Sequence, residues 1–181
     1  LGGTGIDGIV AKSLQSFRNN IPANHQLIFV AHSLGGIVIR ELIMQDLTIG
    51  MKTRGIVTLA TPMAGSKLAD VARYFFIEGP IVLQLASSEG SNYVTQLLRD
   101  WAKLQLIQRI PVFCSSEGKR SGTVFGVRGS LVVEQGSAFT SCTHAFKDWP
   151  EHDHNSINKP FDQNDNLHEW LKEALVQMNP M

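Results

Sequence analysis

Short apolar runs alternate with longer segments of helical spacing along most of this chain. "LIFVA" (27–31) and "GIVTLA" (55–60) are continuously apolar, the pattern of parallel strands covered on both faces. "IPVFC" (110–114) and "SLVVE" (130–134) read as two further strands. Helical periodicity fills the intervals. Ile9, Val10, Leu14, Phe17 and Ile21 share one face, and Pro22 ends that run. Leu34 to Leu47 is mostly apolar, with Arg40, Glu41, Gln45 and Asp46 gathered on one side, as in a helix lying deep on a sheet. From Lys67 to about Gln108 no strand pattern occurs, and pieces such as "LADVARYFF" and "YVTQLLRDWAKL" are helical. Gln135 to about Asp162 is a polar loop rich in His and Asp. The last helix carries a stripe of Leu167, Trp170, Leu171, Ala174, Leu175 and Met178. Strands alternating with helices predict an α/β fold with a mostly parallel sheet.

The 181 residues suffice for one core, without repeat or linker, so residues 1–181 read as a single domain. Within it, 66–109 forms a helical, cap- or lid-like insertion. Sixteen basic residues balance sixteen acidic ones, which gives no electrostatic reason to expect a nucleic-acid partner. No apolar run approaches the ~20 residues of a membrane-spanning helix. Cys114 and Cys142 are too few for a disulfide framework; they could pair, but free buried thiols are expected. The opening "LGGTGIDG" is neither a signal peptide nor a recognisable element, so the chain reads as a fragment lacking the first strands of its domain. "GTGIDG" (3–8) matches a dinucleotide fingerprint formally, but has no strand before it and no acidic residue ~20 positions on; it reads as a loop.

The candidate chemistry begins at "FVAHSLGGIVIREL" (29–42). Ala31-His32-Ser33-Leu34-Gly35 is one substitution from G-x-S-x-G, the strained strand-to-helix turn that exposes a nucleophilic serine in α/β-hydrolases. Ala31 and Gly35 are small where that turn brings neighbours close. The N–H of Leu34, at the start of the helix, is then an oxyanion donor. In this fold the chain order is serine, acid, histidine. His25 and His32 come too early, and His168 lies off the apolar stripe of the last helix. His144, His152 and His154 remain, and composition does not choose among them. Glu117, just beyond "IPVFC", is where the acid belongs; Glu134 is the runner-up, ahead of Asp148 and Asp153. "HDH" (152–154) could be taken for a metal site, but adjacent residues in one loop rarely converge on an ion, and no metal is expected.

Together, "FVAHSLGGIVIREL", "TLATPMAGS", "LVVEQGSA" and "DHNSINKP", in this order, resemble the esterase and lipase-like α/β-hydrolases that include the GPI inositol-deacylase relatives and serine-active-site-containing proteins. The resemblance spans roughly 27–160. It implies an α/β-hydrolase fold and hydrolysis of a carboxylic ester with an apolar acyl portion such as that of a lipid, needing no cofactor. The family's catalytic histidine sits in a D-H-x-x-I-x-K-P segment, matched by Asp153 to Pro160, which singles out His154 over His152. The family's acid favours Glu117. His32, inside the turn, and Met63, where the family often carries a histidine, are the implied substrate-facing residues. The family's early "HG" loop, the source of a second oxyanion donor, is not found in this chain. A thioesterase or acyltransferase would use the same residues, and a non-catalytic interaction domain could keep the same scaffold. Oligomeric state and compartment are not legible.

Overall fold

The computed structural model describes residues 5–22, 24–64, 88–120 and 131–179. Helix α1 (Ile6–Asn20) leads into strand β1 (Leu27–His32), followed by α2 (Gly35–Gln45), the short α3 (Leu47–Lys52) and β2 (Thr53–Leu59). Then come α4 (Ser88–Lys103), α5 (Leu106–Arg109), β3 (Val112–Glu117), α6 (Gln135–Phe139), β4 (Phe146–Trp149) and α7 (Asn166–Met178). The four strands form one parallel sheet in the order β1-β2-β3-β4.

Successive residues of a strand face opposite ways, and the core divides accordingly. Ile56, Val112 and Cys114 join a cluster with Val10 and Leu14 of α1, Ile37 and Ile43 of α2, and Trp101 of α4. Their neighbours Val57 and Phe113 face the other way, onto Leu167, Ala174 and Met178 of α7. The sheet is thus sandwiched between helices, which is why β2 and β3 are almost continuously apolar and buried. Val30, on the outer strand β1, is 51% exposed.

Four expectations need correction. Residues 131–134 are not a strand: Val132 and Val133 are buried but lie in a loop, where their N–H groups serve a side chain rather than a ladder. The last strand is Phe146–Trp149 instead, inside the stretch read as a loop, together with the short α6. As an edge strand it leaves Phe146 64% exposed, so it carries no apolar run. Third, Ile6 to Gly8 of the "GTGIDG" stretch are the first turn of α1. Fourth, Arg40 is not on the polar side of α2 but wholly buried, its guanidinium over the Trp101 ring. The described part of the 66–109 segment packs in the body, with Val94, Leu97, Trp101 and Leu106 in the core beside α1 and α2; "LADVARYFF" lies outside the described residues.

The glycine pair also differs from its expected use. A Cβ on Gly35 would make only ordinary contact, 3.8 Å from Ala31 Cβ. A Cβ on Gly36 would fall 2.6 Å from the Thr61 Cγ2, closer still to its hydroxyl, and 3.0 Å from its Cβ. Thr61 is fully buried and stiff about χ1, so no rotamer removes all three contacts. Gly36→Ala is therefore expected to destabilise the fold by ~1–3 kcal/mol despite the better helix propensity of alanine. Urea denaturation should show this, with part of the loss regained in the Gly36→Ala/Thr61→Ala double variant; equal stability of Gly36→Ala and the parent would refute the crowding.

Candidate active site

In an open parallel sheet, ligand sites form beyond the carboxyl ends of the strands. Here those ends carry Ser33 after β1, Thr61 to Met63 after β2, Glu117 at the end of β3, and the His152–Pro160 loop after β4.

Ser33 has φ 53°, a left-handed conformation that side chains other than glycine rarely adopt. Its N–H donates to Leu59 O (2.9 Å), which ties the turn to the end of β2. The turn projects the Ser33 hydroxyl toward His154, with Oγ 3.0 Å from Nε2. The other ring nitrogen, Nδ1, is 2.5 Å from Glu117 Oε2. A carboxylate only accepts, so Nδ1 carries the proton, and Nε2 presents its lone pair to the serine hydroxyl. Both His154 and Glu117 are completely buried. Sequence separations of 121 and 37 residues are thereby reduced to one hydrogen-bonded row.

Glu117 is held from behind. Its Oε1 accepts from the N–H of Val133 (2.9 Å) and from that of Val132. Those two donors are the purpose of the apolar "LVV" stretch, which buries the carboxylate while satisfying it. Directly after it, a Cβ on Gly118 would lie 2.6 Å from Pro150 Cα, so the chain can turn there only because residue 118 lacks a side chain.

The His154 loop is built locally. Asp153 accepts from the N–H groups of Asn155 (3.0 Å) and Ser156 (2.9 Å), a tight turn closed by a side chain. Burial pushes its carboxyl up, but those bonds outweigh it and hold the group below the usual carboxylate range. His32 braces the same loop. Its Nε2–H donates to the carbonyl of His154 (2.8 Å), and its Nδ1 accepts from Asn158 Nδ2 (3.2 Å). Burial, then the nearby His154, lowers the His32 pKa to about 4, so at neutral pH the ring is uncharged, as this bonding requires.

The remaining candidates lie elsewhere. His152 is fully buried, its Nδ1 3.2 Å from Ser156 O and its Nε2 3.3 Å from Asp165 Oδ2, stacked on Phe161 at 4.6 Å. Asp165 also caps α7, accepting from Leu167 N–H (2.9 Å). His152 therefore fastens the loop to the last helix, with both ring nitrogens engaged by groups other than Ser33. His144 packs on Phe113. Glu134 is exposed at the start of α6. Asp148 accepts from Ser116 Oγ (2.6 Å) across β3 and β4. Met63 is 1% exposed, part of the core rather than an open wall. Leu34 stands at the start of α2, and its N–H has no hydrogen-bond partner among the described residues. Sequence reasoning missed Val132, Val133, Gly118 and Asn158; the first two act through backbone N–H groups, which no side-chain pattern reports.

The PGAP1-like alpha/beta domain family matches residues 6–158, the span that holds Ser33, Glu117 and His154. No curated protein sequence is significantly similar to the chain. Among solved structures, the propeptide form of the Bacillus licheniformis lipase BlEst2 aligns over 98% of this chain and 41% of its own, with 18% identity and a TM-score of 0.62. The metagenomic carboxyl esterase MGS0156 aligns over 96% of this chain and 61% of its own, with 19% identity and a TM-score of 0.54. The Legionella pneumophila phospholipase PlaB, in complex with thio-NAD, aligns over 65% of this chain and 27% of its own, with 21% identity and a TM-score of 0.53. The chain thus spans about a quarter to three-fifths of these three structures, which share its fold. With a parallel sheet flanked by helices, an α/β-hydrolase-like fold, and a family match over most of its length, the chain belongs to the PGAP1-like alpha/beta domain family.

Proposed function

We propose that this domain is a serine hydrolase that cleaves carboxylic esters, lipid esters included, through an acyl-enzyme. The single observation that carries the reading is the Ser33–His154–Glu117 row, with the serine on a positive-φ turn at the carboxyl end of a parallel strand. Ser33 Oγ attacks the ester carbonyl while its proton passes to His154 Nε2. The imidazolium so formed is stabilised by the Glu117 carboxylate on Nδ1. The Leu34 N–H, at the positive end of α2, donates to the oxyanion. Collapse of the tetrahedral species breaks the ester C–O bond, and the His154 proton goes to the leaving alcohol. Water then attacks the acyl-enzyme by the same route and releases the acid. No step calls on a metal or an organic cofactor.

An apolar acyl portion is favoured by the apolar composition of the "VARYFFIEGPIVLQL" stretch (71–85), which lies outside the described residues. The direct test is a fluorophosphonate probe, with the modified residue mapped by mass spectrometry. An adduct on Ser33 that is lost in His154→Ala is the expected result. A folded protein that takes no adduct would instead be an interaction domain on a hydrolase scaffold.

A further inference from the structure

Cys114 and Cys142 are both free thiols, and both belong to the cluster that packs α2 on the sheet. Cys114 lies in β3 and is wholly buried, whereas Cys142 is partly exposed in the loop before β4. Two hydrogen bonds fix their closeness independently of the thiols' own contact: the carbonyl of Ala145 accepts both from Cys114 N–H (2.9 Å) and from Cys142 Sγ (3.2 Å). Cys142 Sγ also lies 3.4 Å from the carbonyl of Val112, the second residue before Cys114. Both thiols pack in one cluster with Ile37, Ile43 and Trp101.

The surroundings give the two sulfurs different characters. Arg40 is wholly buried beside them, donating to Gly36 O (3.1 Å) and Ser141 Oγ (2.6 Å), the latter next to Cys142. Burial lowers the Arg40 pKa only to about 10, so the guanidinium is still charged at neutral pH. The hydrogen bond from Cys114, with further help from the Cys114 and His144 N–H groups and Arg40, holds the Cys142 thiol below its usual range despite burial. The same bond, then burial, pushes Cys114 well above it. A partly exposed thiol beside a wholly buried one is the arrangement of an attacking and a resolving cysteine.

We propose that Cys114 and Cys142 form an oxidisable dithiol, closed by peroxides to a reversible intramolecular disulfide. The Cys142 thiolate attacks one oxygen of hydrogen peroxide, breaking the O–O bond. This gives a sulfenic acid and hydroxide, which takes up a proton as water. The Cys114 sulfur then attacks the sulfenyl sulfur; the S–S bond forms, the S–O bond breaks, and the hydroxide leaves with the Cys114 proton as a second water. Two thiols and one peroxide thus become one disulfide and two waters. Breakage by a dithiol reductant restores both thiols. The site is separate from the proposed ester chemistry and does not depend on it.

The test treats the purified full chain with hydrogen peroxide, blocks the remaining thiols with an alkylating agent under denaturing conditions, and maps the peptides by mass spectrometry. The expected result is a monomer with no alkylated cysteine and a Cys114–Cys142 cross-linked peptide, fully reversed by dithiothreitol. In Cys142→Ser, Cys114 should stay reduced under the same treatment, because no oxidant reaches it directly. Three results overturn the proposal: both thiols still alkylated after treatment, a sulfinic or sulfonic acid on Cys142 with Cys114 left as a thiol, or cross-links only between chains.

Discussion

Ser33→Ala is expected to lower ester turnover by about 10⁴- to 10⁶-fold, the range seen when a nucleophile is removed from a serine–histidine–acid row. That loss corresponds to roughly 5–8 kcal/mol of transition-state stabilisation. The fold should not follow the activity. Ser33 Oγ bonds His154 Nε2, and the turn itself is held by the Ser33 N–H on Leu59 O, which alanine retains. Ser33→Gly sharpens the test. Glycine ordinarily costs stability through the unfolded chain, by about 0.4–1 kcal/mol relative to alanine. At φ 53° a side chain costs about 1–2 kcal/mol, so the order reverses and Ser33→Gly should unfold no earlier than Ser33→Ala in urea. Residual turnover within tenfold of the parent would remove Ser33 from the mechanism. A glycine variant clearly less stable than the alanine one would mean that the turn is not strained in solution.

How much of this was legible before the structure depends on what each residue does. β2 was readable because a parallel strand covered on both faces must be apolar throughout, and "GIVTLA" is; β1 was readable because "LIFVA" is apolar too, although the strand is only half-buried and Val30 is exposed. β4 was not, because an edge strand needs only half of that pattern; "FKDW" looks like loop. "SLVVE" looked like strand for the opposite reason: Val132 and Val133 are buried, but to shield and hydrogen-bond a carboxylate rather than to join the sheet. Periodicity reports burial and cannot say what the burial serves. Ser33 and Glu117 were marked by chain order, while His154 was separable from His152 only by likeness to a family motif. The two rings are two residues apart and equally buried; one bonds Ser33 and Glu117, the other Ser156 and Asp165, across a turn that Asp153 closes with its side chain. The buried charge of Arg40 was invisible, since helical spacing placed it among polar neighbours while the tertiary fold buried it over the Trp101 ring.

His154→Ala should match Ser33→Ala in rate, and the double variant should be scarcely worse than either, because the proposed mechanism uses both residues in one proton transfer. His152→Ala should differ in kind. It removes the bridge between Ser156 O and Asp165 and the stacked contact with Phe161, so stability falls, by ~2–4 kcal/mol for a buried ring with polar partners. Fluorophosphonate labelling of Ser33 should nevertheless survive in the folded protein well below its melting temperature. Glu117→Gln bears on both properties. All three neighbours of that carboxylate are donors: the N–H groups of Val132 and Val133, and His154 Nδ1. An amide must turn its NH₂ toward one set of them. Facing Nδ1, it forces the wrong imidazole tautomer, which costs about 10⁴-fold in the serine protease analogue. Facing the loop, it leaves buried N–H groups unpaired at about 1–3 kcal/mol. Ester hydrolysis rates and urea denaturation of the three variants separate these outcomes. If His152→Ala abolishes labelling in folded protein while His154→Ala retains it, the base is His152 and the row at Ser33 is not the reacting one.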